Sequence, residues 1–463
     1  MSLEAQVAAL VTSSDALTQQ VLDLLTLIEQ QTAPPPIDSA IINGLHVYYA
    51  APSGTGDGAS VSEPANLADL LAVLPPGQAT QIRLLPGEHV LFPGTALEDN
   101  LFLHLVGHDY NPTNPPIICS TNTTGGKVSE ETVASQTCLA HGYSEWPLEA
   151  VRCRLALQDI HIRGTDHALA ADTSQIFMLG EVFLKNWVPS GSRESATLAA
   201  LGSAINIDLN ARVVFMTFHP NYGAIGDPLG FVSSMTLSGS TLHQDNGGIG
   251  WIEDIHNVRV PNTSAWKGAM NINRQSKIFI PRYKFRNVSM LARITNRSEG
   301  TMMRVEALSG SAVLFNIADI IASKFKIGNG SENWPAYLAV EGYGFTILAN
   351  SDVAIDTRCQ FNSIGPGSAD FALVRASRLI ISGADIVTWA VATQGWKNIV
   401  VAQSTSQVYV ENSWLATFNS ATSTFMVVQS LSKTHGTGNT ITVNNEYALA
   451  SGGQYVDNSG VVH

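Results

Sequence analysis

The sequence predicts an all-β protein, a right-handed parallel β-helix preceded by an N-terminal α-helical coiled coil. Three observations indicate this fold class: the composition, phrases that recur along the second half of the chain, and heptads in its first thirty residues. Hydrophobic residues make up 45% of the 463 residues and charged residues only 14%. A chain of this length predicts either several domains or one elongated repeat architecture. Ser, Thr, Asn and Gly, which cover the surface in place of charge, suit many short strands and turns.

Residues 1–33 are predicted to form a coiled coil for oligomerisation and attachment. Leucines recur every seven residues, and an apolar residue follows most of them four positions later. The predicted contact residues are Leu3, Val7, Leu10, Leu17, Val21, Leu24 and Ile28. A helix this short is marginal alone in water, which implies partner chains, with packing on its own domain as the alternative. Ser14 at a core position leaves dimer and trimer open.

Residues 34–44 are expected to be a proline-rich linker, because Pro34–Pro36 end the helix and stiffen the chain. Residues 45–110 are expected to form an N-terminal cap of a strand, a glycine loop, a short helix and a first coil. The loop reads "SGTGDG", so its glycines follow G-x-G-x-G rather than the dinucleotide pattern G-x-G-x-x-G. A turn-rich connection is therefore predicted instead of a nucleotide site.

Residues 111–430 are predicted to be the β-helix shaft, and residues 431–463 a C-terminal coil or cap. Valines 305, 340, 374, 401 and 428 each open a similar phrase, at spacings of 35, 34, 27 and 27 residues. Each phrase contains a strand, a small-residue turn and an alternating apolar strand. Such a period indicates stacked coils, with a β-propeller as the alternative. The repeat valines are expected to point inward and to stack in register.

The stretch "VYYAAPSGTGDG", the helix-like segment after it and the turn at Leu84–Glu88 resemble the start of pectate-lyase-like β-helices in bacteriophage tail fibres and tailspikes. The heptads and the C-terminal "ASGGQYVDNSG" resemble the ends of phage fibre proteins. The resemblance implies a homotrimeric virion component, made in the host cytoplasm. It would join other tail or baseplate proteins through its N-terminus and bind a glycan or protein of the bacterial surface. The alternative on the same fold is a tailspike depolymerase, a glycoside hydrolase or lyase.

The stretch "HQDNGGIGWIEDIHN" is the richest in groups that bind or cleave sugars. Trp251, His256 and the nearby Trp266 are predicted ligand-binding residues, because aromatic rings pack on sugars and polar side chains take up hydroxyl groups. If the protein is an enzyme, the candidate catalytic residues are Asp245, Glu253 and Asp254, since glycoside hydrolysis uses two facing carboxylates. Non-enzymatic binding is favoured, because no catalytic motif of the pectate lyases or polygalacturonases is complete here.

Other classes are disfavoured by charge and motif. A net charge of −13 argues against nucleic-acid binding, and no apolar run is long enough for membrane insertion. No cofactor and no metal are predicted, and the four cysteines, Cys119, Cys138, Cys153 and Cys359, are expected to be free or buried thiols. The N-terminus is expected to carry no signal peptide.

Overall fold

The structure is a computed structural model. It describes residues 45–463 except 76, 93–94, 99–101, 121–146, 166, 188–193, 219–230, 246–247, 257–267, 287, 289, 309–312, 314–315, 329–336, 341–342, 357–358, 365, 389–394, 417–423, 430–431, 438, 443–444, 450–452 and 458–460. The predicted coiled coil, the predicted linker, Cys138 and Trp266 lie outside the described residues.

The described chain begins with β1 (His46–Ala50), α1 (Leu67–Val73), β2 (Ala79–Leu84), β3 (Gly87–Leu91), β4 (Ala96–Glu98), β5 (Phe102–Gly107), β6 (Pro116–Ser120), β7 (Leu148–Val151), β8 (Arg154–Thr165), β9 (Leu169–Asp172) and β10 (Gln175–Trp187). It continues with β11 (Glu194–Leu201), β12 (Ala204–Ile207), β13 (Arg212–Phe218), β14 (Phe231–Ser238), β15 (Thr241–Gln244), β16 (Trp251–His256), β17 (Gly268–Asn273), β18 (Lys277–Arg286), β19 (Met290–Thr295) and β20 (Glu299–Ala307). Then follow β21 (Asn316–Ile321), β22 (Lys324–Ile327), β23 (Tyr337–Val340), β24 (Tyr343–Leu348), β25 (Asp352–Ile355), β26 (Gln360–Ser363), β27 (Pro366–Ala369), β28 (Ala372–Arg375), β29 (Arg378–Ser382) and β30 (Asp385–Thr388). The last strands are β31 (Gly395–Trp396), β32 (Asn398–Gln403), β33 (Gln407–Glu411), β34 (Trp414–Ala416), β35 (Thr424–Val428), β36 (Lys433–Thr437), β37 (Thr440–Thr442), β38 (Asn445–Leu449) and β39 (Gln454–Val456).

Apart from a separate parallel pair, β27 and β31, the paired strands form three ladders in which neighbouring strands are parallel. Face 1 runs from β1 through β12, β15 and β22 to β39, and face 2 from β3 through β13, β16 and β23 to β37. Four long strands, β8, β10, β18 and β20, contribute to both of these faces. Face 3 is a sheet of 13 strands from β4 to β38. This stacking of parallel coils is consistent with a β-helix, and its right-handed sense stays a prediction.

Alternation of apolar and polar residues decides which side of each strand faces the interior. In β2 the exposure alternates between half-buried and buried along ATQIRL, and in β18 the even-numbered positions from Ile278 begin the same pattern. Alternate side chains of a strand point to opposite faces. The buried set from successive coils joins into one apolar core that runs from Ala50 to Tyr455.

α1 lies close to the start of this core. The side chain of Asn66 caps the helix by accepting a hydrogen bond from the backbone N–H of Ala68 at 2.9 Å. Leu67 and Leu70 are buried and belong to the core cluster. The helix therefore covers apolar surface near the first coils, where the ladder begins.

A ladder of buried serines marks the turn between faces 3 and 1. Its members are Ser174, Ser203, Ser240, Ser276, Ser298, Ser323, Ser351, Ser377, Ser406 and Ser432. Along most of it, the backbone N–H of one serine donates to the hydroxyl of the next, at 3.0–3.2 Å. The residue before each of the first nine serines has a positive φ, between 45° and 66°. The ladder thus satisfies buried backbone groups at a tight turn that repeats every 22 to 37 residues.

The repeat valines are buried, but the prediction that they stack in register is wrong. Val305 and Val340 lie on strands of face 2, whereas the other three lie on face 3. Val374 pairs with Ala402, which in turn pairs with Val428, so these positions share an inward column. Val401 pairs instead with Leu373 and Val427, in the neighbouring outward column. The recurring serine, not the valine, is the residue that repeats in register.

Among the described residues, no helix is long and apolar enough to cross a membrane. The three cysteines that the structure describes, Cys119, Cys153 and Cys359, are buried, as the sequence predicts.

Candidate functional site

Two columns of outward side chains on face 2 contain two of the predicted site residues, Trp251 and Glu253. The tryptophan column is Glu181, Arg212, Trp251, Arg282 and Arg304. The glutamate column beside it is Phe183, Val214, Glu253, Lys284 and Glu306. Successive members of a column lie on adjacent strands, about 4.8 Å apart. Residues that are distant in the sequence are thereby placed side by side.

Trp251 is half-buried, and three cations surround its indole ring. The ammonium nitrogen of Lys284 lies 3.9 Å from the ring centroid, and the guanidinium carbons of Arg304 and Arg282 lie at 4.9 and 5.6 Å. These distances are within the range of cation–π attraction. The ring is consequently a platform for positive charge rather than an open surface on which a sugar could lie flat.

Arg212 is the centre of an ion-pair network at the other end of the columns. Its guanidinium donates to both oxygens of Glu253, from Nε at 3.2 Å and from Nη2 at 3.1 Å, and lies 3.5 Å from Glu181. The hydrogen bonds that Arg212 donates to Glu253 contribute most to raising the pKa of Arg212. Its guanidinium also lies over the ring of Phe183, at 5.2 Å. Two carboxylates from strands two coils apart therefore bracket one cation.

Tyr110 and His161 extend this network. The Tyr110 hydroxyl donates to Glu181 at 2.8 Å, and burial together with the negative charge of Glu181 raises the pKa of the phenol. The ring of His161 packs on Phe183, with centroids 4.4 Å apart. Burial, followed by the charges of Lys185 and Arg163, lowers the pKa of His161 to about 4. The imidazole is neutral at physiological pH and contributes an uncharged polar ring.

Asp254 faces the interior and has no exposed surface. Its carboxylate accepts hydrogen bonds from Ser234 Oγ at 2.6 Å and from Tyr283 OH at 2.8 Å. Burial raises the pKa of Tyr283, which therefore remains a donor. As Asp254 cannot contact a ligand on the outer face, its candidacy as a catalytic residue is wrong. Successive strand residues alternate in direction, so Glu253 points outward while Asp254 points inward.

Asp245 and Glu253 belong to different faces. Asp245 follows β15 of face 1 and lies beside His243, whose Nε2 is 3.4 Å from its carboxylate. His243 stacks on Phe279, with ring centroids 5.1 Å apart, and burial lowers the pKa of its imidazole. His256 belongs to β16, but its side chain lies outside the described atoms. The predicted pairing of these residues around one ligand stays a prediction.

A groove of about 830 Å³ on face 3 was not predicted from the sequence. Aligned outward residues of four strands, Ala170, Ala199, Thr236 and Asn271, form part of its lining. Glu149 and Arg293 line it as well and occupy the next positions of the same column in either direction. In the sequence, this groove corresponds to small residues at outward strand positions, which match no known motif.

Comparison with known proteins adds structural neighbours of low similarity. No family model and no curated protein matches this sequence. Among solved structures, the chain is similar to a Family 28 exopolygalacturonase of Yersinia enterocolitica, with 10% identity and a TM-score of 0.31, over 88% of this chain and 77% of the other. The pectate lyase Pel9A is 10% identical with a TM-score of 0.21, over 90% of this chain and 82% of the other. The catalytic unit of a GH87 α-1,3-glucanase of Streptomyces thermodiastaticus is 13% identical with a TM-score of 0.24, over 90% of this chain and 71% of the other. The assignment to a parallel β-helix rests on the strand pairing described above.

Proposed function

We propose that the protein is a phage tail fibre that attaches the virion to a glycan of the bacterial surface, through the outer side of face 2. The main observation for this site is that Trp251 is half-buried and lies among charged side chains. The inward residues of the same strand are buried in the interior. An outward aromatic ring with polar neighbours is typical of binding surfaces. The resemblance of the sequence to tail fibres supports the virion assignment, the homotrimer and the docking of its N-terminus on tail or baseplate proteins.

The experiment is binding of the full chain to purified surface polysaccharides of candidate hosts. Replacing Trp251 by Ala removes the platform that positions Lys284, Arg282 and Arg304, so binding should weaken while the core packing of the coil stays intact. Trp414, which is 52% exposed and also begins a strand of face 2, offers a matched control. Loss of binding in Trp414→Ala but not in Trp251→Ala would contradict the proposed site.

A polysaccharide depolymerase is the second candidate, and one observation favours it. Glu181 and Glu253 lie on strands two coils apart, roughly 10 Å by the usual strand spacing, near the separation of inverting glycosidase carboxylates. Both are bound to Arg212, however, and the side chain of Glu253 is only 13% exposed. Release of reducing ends or unsaturated products from a bound polysaccharide, abolished by Glu253→Gln, would establish the enzyme in place of simple binding.

A further inference from the structure

A short segment covers the outer edge of the last strand of face 1. On one side, β39 pairs with β36. On its other side lie residues 461–463, called the strap below, which run antiparallel to it with Val462 opposite Val456. The backbone of His463 donates to the carbonyl of Tyr455 at 2.8 Å and accepts from the N–H of Tyr455 at 3.4 Å. The strap therefore takes up backbone groups that point away from the ladder at this edge.

Asp457 and Tyr447 hold the strap in place. The N–H of Asp457 donates to the carbonyl of Val461 at 3.0 Å, and its Oδ1 accepts from the N–H of Val461 at 2.9 Å. Its Oδ2 lies 2.9 Å from Nε2 of His463, which donates because a carboxylate can only accept. Nδ1 of the same imidazole lies 2.9 Å from the hydroxyl of Tyr447, on the last strand of face 3. The strap thus connects the last strands of two faces.

The strap itself buries little apolar surface. Val461 and Val462 are 51% and 64% exposed, so packing of these side chains does not explain why the segment lies where it does. Its contacts are mainly hydrogen bonds to the edge of β39 and to two polar side chains. An uncovered edge strand presents N–H and C=O groups to which another chain can add a strand. Covering that edge is the effect that these contacts share.

We infer that the strap is an autoinhibitory contact, which keeps β39 from pairing with β39 of a second copy of this chain. The strap occupies the edge in the antiparallel sense, and a copy related by a two-fold axis presents its own β39 in that same sense. With the two Val456 residues opposite each other, the backbone groups of Tyr455 and Asp457 that now bond the strap bond the second copy instead. The inference goes beyond glycan attachment and does not depend on it.

The test uses the full chain and its double variant Asp457→Ala/His463→Ala, which removes the two side chains that join the strap to its surroundings. Hydrogen exchange at Tyr455 reports whether the edge is uncovered, and light scattering over a range of concentrations reports the mass of the assembly. We expect exchange at Tyr455 to be about tenfold faster or more. The mass should rise with concentration to twice that of the wild-type assembly, whatever number of copies the latter contains.

A cysteine locates the new contact, and a matched histidine controls for it. Opposite residues in a non-hydrogen-bonded antiparallel pair have Cα atoms about 4.5 Å apart, within reach of a disulfide. Val456→Cys added to the double variant should therefore cross-link two copies under mild oxidation, and Val456→Cys alone should not. His243→Ala also removes a histidine beside an aspartate, but from a strand paired on both sides, so it should change neither exchange at Tyr455 nor mass.

Each result supports or overturns the inference. Faster exchange at Tyr455 without a doubled mass overturns it, because an uncovered edge would then not pair. Unchanged exchange overturns it as well, because the two side chains would not hold the strap. A doubled mass without the disulfide places the contact elsewhere and overturns it too. If the double variant melts early, Tyr447→Phe, which removes a single hydroxyl, gives the same comparison with a smaller expected increase in exchange.

Discussion

Removing one hydroxyl from the serine ladder should open the turn of a single neighbouring coil. In the replacement Ser351→Ala, the backbone N–H of Ser323 loses its acceptor, which is 3.2 Å away. The carbonyls of Leu348 and Ile320 lose the donor that lies 2.6 and 3.1 Å from them. Ser351 is only 2% exposed, so water does not readily replace the lost partner. An unsatisfied buried group costs about 1–3 kcal/mol, and a penalty of about 2 kcal/mol corresponds to a roughly thirtyfold larger equilibrium constant for opening.

Hydrogen exchange detects this opening where it occurs. Peptides that contain Ser323 should exchange roughly thirtyfold faster in Ser351→Ala, under conditions in which exchange follows the opening equilibrium. Peptides several coils away should be unaffected, because each coil contacts only its neighbours. Ser382→Ala, at a half-buried outward position of β29, is the control and should change neither region. If peptides that contain Ser323 exchange at the same rate in Ser351→Ala as in the wild-type protein, the role assigned to the ladder is refuted.

Three further predictions concern register, pH and assembly. Val374→Asp buries an unpaired carboxylate and should cost several kcal/mol, whereas Val401→Asp, in the outward column, should lower the melting temperature less; equal losses would contradict the register. Burial lowers the pKa of His161 from its ordinary value of 6.5 to about 4 in the folded protein. The unfolded chain therefore takes up the proton first, and stability should fall as pH drops from 6.5 towards 4. His161→Phe should reduce that fall in melts across this range, and an unchanged pH profile would argue against it. Light scattering should give a trimer for the full chain but not for a chain that begins at Pro34; a full-length monomer would exclude the coiled coil.

The sequence was sufficient for the all-β architecture of stacked parallel strands, but not for its register. Alternating apolar residues predict strands, and their recurrence predicts stacked coils. Recurring valines predict the wrong repeat position, because apolar residues usually fill the core but need not recur at one place in each coil. The fixed point of each coil is instead the serine after a residue with positive φ, present in the phrases "LANSD", "RASRL" and "QSTSQ". The serine in each of these phrases predicts a hydrogen-bonding position, because a buried turn requires a side chain that satisfies its backbone groups.

The site was only partly predictable for a related reason. Local richness in aromatic and acidic residues identified Trp251 and Glu253, and strand alternation alone could have placed Asp254 on the opposite side. The cations could not be assigned. Arg212 precedes Trp251 by 39 residues and Arg304 follows it by 53, and coil lengths between 22 and 37 residues prevent counting from one rung to the next. Only the paired strands show that these side chains share two columns.

The interior of the same coils determines how firmly the binding surface is held. Tyr283 lies between Arg282 and Lys284 in the sequence but points inward, where its hydroxyl donates to Asp254 at 2.8 Å. Asp254 follows Glu253 on the adjacent strand, β16. One buried hydrogen bond therefore joins β16 and β18, two strands whose outward residues belong to the two columns. A fully buried, satisfied polar contact is strongly directional and resists sliding of the strands. Outward residues at this position can therefore differ in charge without loss of register, and a common interior can present different ligand-binding surfaces.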